Sequence, residues 1–206
     1  MSLDYKKKVA SRFDELAPIY TNNALGFIKN KRLELIKKYI NKTDKILEIG
    51  CGSGNLLKEL DCDNIYGIDI SSGMVNECKK ILPKGKFSVG DAENLHFKNN
   101  TFDKVIISEV LYYLPDLNKS INEAFRVLKK DGLLLITSLN KKYNFVRTIV
   151  NFLKIGVHDN ISMSYIDLKY LLNIVKKSFK IEKIESIPVK IIPSNYSLIF
   201  FIEARK

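Results

Sequence analysis

The sequence predicts an α/β protein built on a mostly parallel β-sheet. Along the middle of the chain, short apolar runs of strand length alternate with amphipathic stretches of helix length, which is typical of strand–helix–strand units. Three glycines, Gly50, Gly52 and Gly54, directly follow the first of these runs, and Asp69 ends the second. A glycine-rich turn and an acid at neighbouring strand ends indicate a site for a nucleotide-like ligand.

The apolar runs place five strands in the centre of the chain and two near its end. The predicted strands are residues 45–49, 65–69, 86–89, 102–108, 132–138, 179–187 and 196–204. One helix is predicted to start near Asn55, directly after the glycines, and another to cover 117–129. The second has its apolar residues at helical spacing from Ile121 to Leu128, and Gly132 contributes to its stop signal.

Two flanking segments have helical patterns. Residues 6–40 predict two helices interrupted at 18–23, and residues 140–177 predict further helices with a break at 156–160. Ser164 is a candidate N-cap for the last of these helices. Because polar breaks of this kind allow movement, we expect both segments to form a lid and to build the pocket of a second ligand.

Length and composition fit one domain over residues 1–206 with a sizeable core. No apolar run approaches the roughly 20 residues that span a bilayer, and the first residues contain no apolar core of signal-peptide length. The three cysteines lack paired spacing, and the two histidines, His96 and His158, are far apart. We therefore expect a cytoplasmic protein with no membrane span, no disulfide framework and no metal site, of open oligomeric state.

The chain is strongly basic, with a formal net charge of +11. Such a surface attracts nucleic acid, anionic lipid or acidic small molecules. The lysine pairs, however, are scattered along the whole sequence instead of being concentrated in one segment. This scatter favours a solvated surface, and nucleic acid stays the alternative partner.

Two cofactors compete for the glycine turn, a dinucleotide and S-adenosylmethionine (SAM). The dinucleotide pattern G-x-G-x-x-G would need a third glycine at Asn55, whereas the chain has G-x-G-x-G. Glu48, just before the turn, would sit badly beside a pyrophosphate but suits a ligand that carries an ammonium and a sulfonium. Asp69 is placed to accept hydrogen bonds from both ribose hydroxyls. The pattern therefore favours SAM and disfavours an NAD-dependent dehydrogenase.

Five segments in order resemble the class I SAM-dependent methyltransferases, in particular the small-molecule type-11 domain of the ubiquinone/menaquinone C-methyltransferases. They are residues 47–54, 67–74, 89–95, 102–111 and 126–136, within a stretch of nearly half the chain. The resemblance implies a Rossmann-like, seven-stranded, mostly parallel sheet with an antiparallel C-terminal edge hairpin and helical lid segments. It also implies SAM as cofactor, S-adenosylhomocysteine as product and a small-molecule acceptor.

The resemblance also assigns roles in cofactor binding. The glycines would bring backbone against methionine and ribose, Glu48 would help bind the ammonium, and Met74 would lie on the adenine face. Asp91 would accept from the adenine amino group beside Ala92, the carbonyls of Ser108 and Glu109 would receive the ammonium, and Tyr20 lies in a closing segment. The cofactor-binding candidates are Tyr20, Glu48, Gly50, Cys51, Gly52, Gly54, Asp69, Ile70, Met74, Asp91, Ala92, Ser108 and Glu109.

The reaction implied is a displacement at a sulfonium methyl, in which the protein chiefly aligns the acceptor. A general base is needed only if the acceptor must first lose a proton. The catalytic candidates are Tyr112 and Tyr113 after the fourth strand and His158 in the lid, with Glu109 as a further possible base.

Alternatives to a small-molecule methyltransferase remain at this point. An RNA or protein methyltransferase is disfavoured because the chain has no Asn-Pro-Pro-Tyr-like motif after the fourth strand and no Pro-Cys pair. A non-catalytic SAM-binding protein would keep the same glycines and acids. The acceptor and the atom that is methylated are left open by the sequence.

Overall fold

Seven strands join in one sheet in the computed structural model, which describes residues 3–20, 26–140, 166–187 and 199–206. The strands are β1 (Lys45–Ile49), β2 (Asn64–Asp69), β3 (Lys86–Val89), β4 (Phe102–Ser108), β5 (Leu128–Leu139), β6 (Lys180–Ile187) and β7 (Ile199–Arg205). In this described part, the α-helices are α1 (Leu3–Leu16), α2 (Gly26–Lys37), α3 (Ser72–Ile81), α4 (Leu117–Val127) and α5 (Leu168–Val175). None of these helices is long and apolar enough to cross a membrane.

The strand order is β3-β2-β1-β4-β5-β7-β6. Strands β1 to β5 pair in parallel, and β7 runs antiparallel between β5 and β6. The predicted seven-stranded, mostly parallel sheet with an antiparallel C-terminal pair is therefore confirmed. Because the strand order reverses between β1 and β4, a crevice forms at the carboxyl ends of these two strands, where ligands bind in open α/β sheets.

Both faces of the sheet are covered, which explains why its central strands are almost continuously apolar. Alternate residues of β1 enter opposite cores. Leu47 and Ile49 pack in the core that includes Ile121 of α4. Ile46 packs in the core that includes Leu35 of α2 and Val75 of α3. The buried strands hold the polar residues at their carboxyl ends in fixed positions.

The prediction of a helix starting near Asn55 was wrong. The chain forms only a 3-10 turn over Leu57–Glu59, and Leu60 is already extended, with φ −90° and ψ 130°. The chain then reaches β2 at Asn64, and the buried side chains of Leu57 and Leu60 pack in the core beside β1 without a longer helix. The glycine turn therefore lacks the α-helix N-terminus that was expected beside the ligand.

Helix α4 ends at Val127 instead of 129, and β5 begins at Leu128. The amides of Asn100 and Thr101 donate to the carbonyls of Arg126 and Val127, which ends the helical hydrogen bonding. Leu128 is extended and fully buried. The lysines at 129 and 130 thus lie exposed in a strand rather than at a helix end.

The flanking segments agree with the predicted pattern where they are described. Helices α1 and α2 are separated by a 3-10 turn over Ala17–Ile19. Helix α5 is capped by Asp167, whose side chain accepts from the amide of Tyr170 at 3.1 Å, and not by Ser164. Ser164 and the predicted break at 156–160 lie outside the described residues.

Candidate active site

A cavity of about 440 Å³ lies at the carboxyl ends of β1, β2 and β4. Its wall is formed by the glycine turn after β1, the acid that ends β2, the acid after β3, the end of β4, and side chains of α1 and α2. Its volume falls in the range of small-molecule sites, about 300–1,000 Å³. The cavity therefore occupies the crevice that the sheet topology predicts.

The glycine turn needs its glycines for two different reasons. Gly50 has φ +73°, and a Cβ there would lie 2.5 Å from Cγ2 of Val110. Gly54 is not among the residues that line the cavity, and a Cβ there would lie 2.7 Å from Sγ of Cys78. The structure thus places Gly54 against α3 as a packing residue, which differs from the predicted cofactor contact.

Asp69 braces the glycine turn as well as facing the cavity. Its Oδ2 accepts from the amide of Gly52 at 2.8 Å and its Oδ1 from the amide of Ser71 at 2.9 Å. Burial raises the pKa of Asp69, and these two amides oppose the rise. A carboxylate has about four acceptor positions. Asp69 therefore keeps acceptor capacity for a ligand while it holds the turn.

Helix α1 is tied across the cavity rim by ionic and polar contacts. Lys6 Nζ lies 2.7 Å from both Asp91 Oδ2 and Glu93 Oε2. At the other end of the helix, Asp14 accepts from the hydroxyl of Ser71 at 2.6 Å and the amide of Gly73 at 2.7 Å. These contacts hold α1 over the adenine and ribose ends of the predicted cofactor site.

Three charged side chains lie together in the cavity wall. Arg32 Nη1 lies 3.7 Å from Glu109 Oε1, too far for a direct hydrogen bond. Within the described part of the chain, Glu48 Oε2, Glu109 Oε1 and Arg32 Nε are buried and have no hydrogen-bond partner. Burial raises the pKa of both carboxyl groups, and the Arg32 charge opposes the rise. Buried polar atoms without partners are costly, so they indicate a polar ligand.

Glu109 also has an unusual backbone conformation. Its φ is +59°, in the left-handed region that residues with a Cβ rarely adopt. Its amide donates to the carbonyl of Thr137 at 3.0 Å, which ties this conformation to β5. Such a conformation costs about 1–3 kcal/mol and is typical of ligand sites.

Four aromatic side chains form a series of ring contacts beside these charges, here called the aromatic arc. Tyr20 contacts Phe13 at 6.3 Å between ring centroids, Phe13 contacts Tyr113 at 5.2 Å, and Tyr113 contacts Tyr112 at 4.7 Å. Tyr20 lies over the glycine turn, where its Cε1 would be 3.8 Å from a Cβ on Gly52. The arc thus extends from the glycine turn to the end of β4.

The structure brings most of the predicted site residues to this cavity. The predicted residues that line it are Tyr20, Glu48, Gly50, Cys51, Gly52, Asp69, Ile70, Met74, Asp91, Ala92, Ser108, Glu109, Tyr112 and Tyr113. Met74 is only 1% exposed, so it is both a core residue and a wall residue. His158 lies outside the described residues.

Sequence reasoning missed Lys6, Phe13 and Arg32, which also line the cavity. Lys6 and Phe13 lie on α1, and Arg32 lies on α2. Phe13 lies seven positions after Lys6, which places both residues on the same face of an amphipathic helix. This spacing was the signal in the sequence that could have found Phe13. No local signal marks Arg32, because its partner Glu109 is distant in the sequence.

Comparisons with known proteins agree with this fold and cavity. A family profile described as a methyltransferase domain matches residues 47–136. The ubiquinone/menaquinone biosynthesis C-methyltransferase UbiE of Campylobacter jejuni is 30% identical over 154 residues, covering 66% of this chain and 66% of that protein. The demethylmenaquinone methyltransferase of Thermotoga maritima is 32% identical over 145 residues, covering 65% of this chain and 62% of that protein.

The chain thus spans just under two thirds of the length of these relatives. The crystal structure of a Pyrococcus horikoshii OT3 protein matches with a TM-score of 0.70 at 24% identity, covering 91% of this chain and 95% of that chain, and it supports the fold. With the strand order, the glycine turn and these matches together, the chain belongs to the class I SAM-dependent methyltransferases.

Proposed function

We propose that this protein transfers the methyl group of SAM to a small-molecule acceptor at the rim of the cavity. The observation that carries the proposal is the group of buried charged atoms without partners on Glu48, Glu109 and Arg32. SAM has two cationic centres, an ammonium and a sulfonium, and one carboxylate. Two carboxylates and one guanidinium complement these three charges.

The other polar groups of the cavity suit the remaining parts of SAM. Asp69 retains acceptor capacity for the ribose hydroxyls. Asp91 and the backbone of Ala92 line the cavity after β3, where the resemblance to the family places adenine. At Gly52 the absent side chain leaves the space beside the turn open. The acids and backbone groups of this wall thus suit the ammonium, the ribose hydroxyls and the adenine of the cofactor.

SAM supplies an activated methyl on a positively charged sulfur, so the protein needs mainly to orient the acceptor and exclude water. The aromatic arc provides flat apolar surfaces for that purpose. Burial raises the pKa of Tyr112 well above its ordinary value, with the Glu109 charge adding to the rise. Tyr112 therefore stays protonated, and its hydroxyl is a hydrogen-bond partner of the Glu109 carboxyl group, so it suits orienting that group better than removing a proton. Tyr113 and His158 stay predicted acceptor contacts.

We further propose a planar aromatic acceptor of the quinol type. Rings prefer edge-to-face or offset contacts with other rings, and the arc offers several such surfaces. The names of the UbiE and demethylmenaquinone relatives point the same way. The scattered lysines favour this class over RNA, because an RNA site would concentrate basic and aromatic residues on one face.

Two measurements test the proposal. Calorimetric titration is expected to show binding of SAM and S-adenosylhomocysteine and no binding of NAD. Binding of NAD without binding of SAM would contradict the assignment of SAM as the cofactor. Transfer of labelled methyl is then measured to demethylmenaquinol, to a small-molecule extract and to total RNA. Label in the small-molecule arms supports the proposal, and label confined to RNA contradicts it.

A further inference from the structure

We infer that Cys51 and Cys78 form an oxidation site, here called the thiol pair, which a peroxide converts to a disulfide in the ligand-free protein and which thereby regulates cofactor binding. Cys51 lies in the glycine turn, and Cys78 lies on α3. The inference rests on the proposed function, because the modification controls the same cavity. It adds a covalent site that the methyl-transfer reaction does not use.

The first observation is that the two thiols are in contact. Their side chains share a hydrogen bond, and both belong to the core that α2 and α3 cover. A Cβ on Gly54 would lie 2.7 Å from Sγ of Cys78, and a Cβ on Gly67 would lie 2.9 Å from Sγ of Cys51. Two residues without side chains therefore leave the room that the sulfur atoms occupy.

The second observation is that the cavity reaches one thiol of the pair and not the other. Cys51 lines the cavity, whereas Cys78 is fully buried and is not among the lining residues. A small oxidant that enters the cavity can therefore contact Cys51 first. A bound cofactor would cover Cys51, because the glycine turn is the part of the wall assigned to its methionine and ribose. Oxidation is thus restricted to protein without cofactor.

The surroundings of Cys51 set the pH dependence of its oxidation. The hydrogen bond with Cys78 raises the pKa of Cys51, and burial and the charges of Asp69 and Glu48 add to the rise. The thiolate is the form that reacts with a peroxide. The pair therefore stays reduced during brief exposure at neutral pH, and its rate of oxidation should increase as pH rises.

Hydrogen peroxide balances the reaction. The Cys51 thiolate attacks one peroxide oxygen, the O–O bond breaks, and Cys51 becomes a sulfenic acid while the leaving hydroxide takes up the proton that Cys51 lost. The Cys78 sulfur then attacks the Cys51 sulfur, the S–O bond breaks, and the oxygen leaves as water with the proton of Cys78. Two thiols are oxidised to one disulfide, and one hydrogen peroxide is reduced to two water molecules.

The disulfide is expected to pull the glycine turn out of its binding conformation. A covalent bond brings the two sulfur atoms closer together than a hydrogen bond does, and Gly54 already lies against Cys78. Movement of the turn would displace the amide of Gly52, which donates to Asp69 Oδ2 at 2.8 Å. Because Asp69 is also assigned to the ribose hydroxyls, affinity for the cofactor should fall by about tenfold.

The test uses Cys62→Ser, in which Cys51 and Cys78 are the only cysteines of the sequence. Cys62 lies apart from the pair, with its thiol donating to the carbonyl of Asp44 at 3.0 Å. After hydrogen peroxide treatment, mass spectrometry of unreduced peptides should show Cys51 joined to Cys78. S-adenosylhomocysteine at about ten times its dissociation constant should slow this reaction by about tenfold. Calorimetry should then show about tenfold weaker binding of S-adenosylhomocysteine to the oxidised protein, restored by dithiothreitol.

Cys78→Ser in the same background is the matched control, because it keeps a small polar side chain and removes the second sulfur. It should form no disulfide within the chain and should instead accumulate a Cys51 sulfenic acid, which dimedone traps. Should this variant not fold, as judged by circular dichroism, peptide mapping of the oxidised wild type replaces it. A disulfide from Cys51 to Cys62 there would contradict the pairing.

Three further outcomes would overturn the inference. They are the absence of a disulfide in Cys62→Ser, equal rates of oxidation with and without bound S-adenosylhomocysteine, and an unchanged affinity for S-adenosylhomocysteine after complete oxidation. The proposed function fails separately, if the reduced protein binds neither SAM nor S-adenosylhomocysteine, because formation of the disulfide is measured without any ligand.

Discussion

Lys6 and Asp91, 85 positions apart in the sequence, form an ion pair of 2.7 Å at the rim of the cavity. Lys6 also pairs with Glu93, whose other oxygen accepts from the amide of Asp116 at 2.8 Å. One lysine of α1 therefore connects the loops that follow β3 and β4. Cofactor entry and exit are expected to depend on how easily α1 leaves this position.

Lys6→Met is therefore expected to loosen α1. Both of its ionic contacts are lost, while the contacts of Asp14 with α3 remain. Hydrogen exchange should accelerate in Leu3–Leu16 and stay unchanged in β1 and β4. Lys80→Met is a matched control, because Lys80 pairs with Glu77 on the exposed surface of α3. Equal exchange of α1 in wild type and Lys6→Met would show that the ion pair does not hold the helix.

Asp69→Ala should weaken SAM binding by more than about tenfold, because charge-assisted hydrogen bonds are worth about 1.5–3 kcal/mol each. The structure adds a second effect, since the amides of Gly52 and Ser71 also lose their acceptor. The free energy of unfolding should therefore fall as well, by about 1–3 kcal/mol. Calorimetry and melting curves measure the two effects.

Asp103→Ala provides the control for this prediction. Asp103 accepts from the amide of Lys45 at 2.8 Å, at the opposite end of β1 from the cavity. It should lose stability in the same way and bind SAM like wild type. If Asp69→Ala binds SAM as tightly as Asp103→Ala does, Asp69 is only a brace of the turn.

Features set by local pattern were predictable from the sequence. The strands β1 to β4 were predicted within one residue, because each contains apolar residues over a strand-length segment, and those of β1, β2 and β4 are largely buried. The acids at their carboxyl ends followed from the same runs, because parallel strands end at one edge of the sheet. The prediction of a helix after Gly54 was wrong because the apolar residues of that segment fit a helix and a short turn equally well.

Features set by distant pairing were not predictable. The pairing of Arg32 with Glu109 and of Lys6 with Asp91 depends on where α1 and α2 dock, which no local spacing encodes. The left-handed conformation of Glu109 likewise follows from its bond to Thr137 in another strand. The arrangement as one domain with lid segments stays a prediction.

Binding of SAM should release protons. Burial raises the pKa of Glu48 well above 4.5, with Cys78 and Asp69 adding to the rise and Arg32 opposing it. In the ligand-free protein Glu48 therefore holds a proton in part of the pH range above 4.5, and a bound cation favours its ionised form. SAM affinity should rise with pH across this range. Titrations in two buffers of different ionisation heat measure the released protons, and Glu48→Gln should release fewer.

Glu48→Gln should also make the ligand-free protein more stable at neutral pH while weakening SAM binding. Because the folded-state pKa of Glu48 is raised, the folded protein binds a proton more tightly than the unfolded chain above pH 4.5. The stability of the ligand-free wild type therefore falls as pH rises through that window. A neutral amide of the same shape has no ionisation to suppress, so its stability should depend less on pH. Melting curves of both proteins at several pH values check the prediction. A wild type that is more stable than Glu48→Gln at neutral pH without ligand would contradict the prediction. It would mean that a partner within the protein stabilises the Glu48 carboxylate, so that the carboxylate is not left for the cation of a ligand.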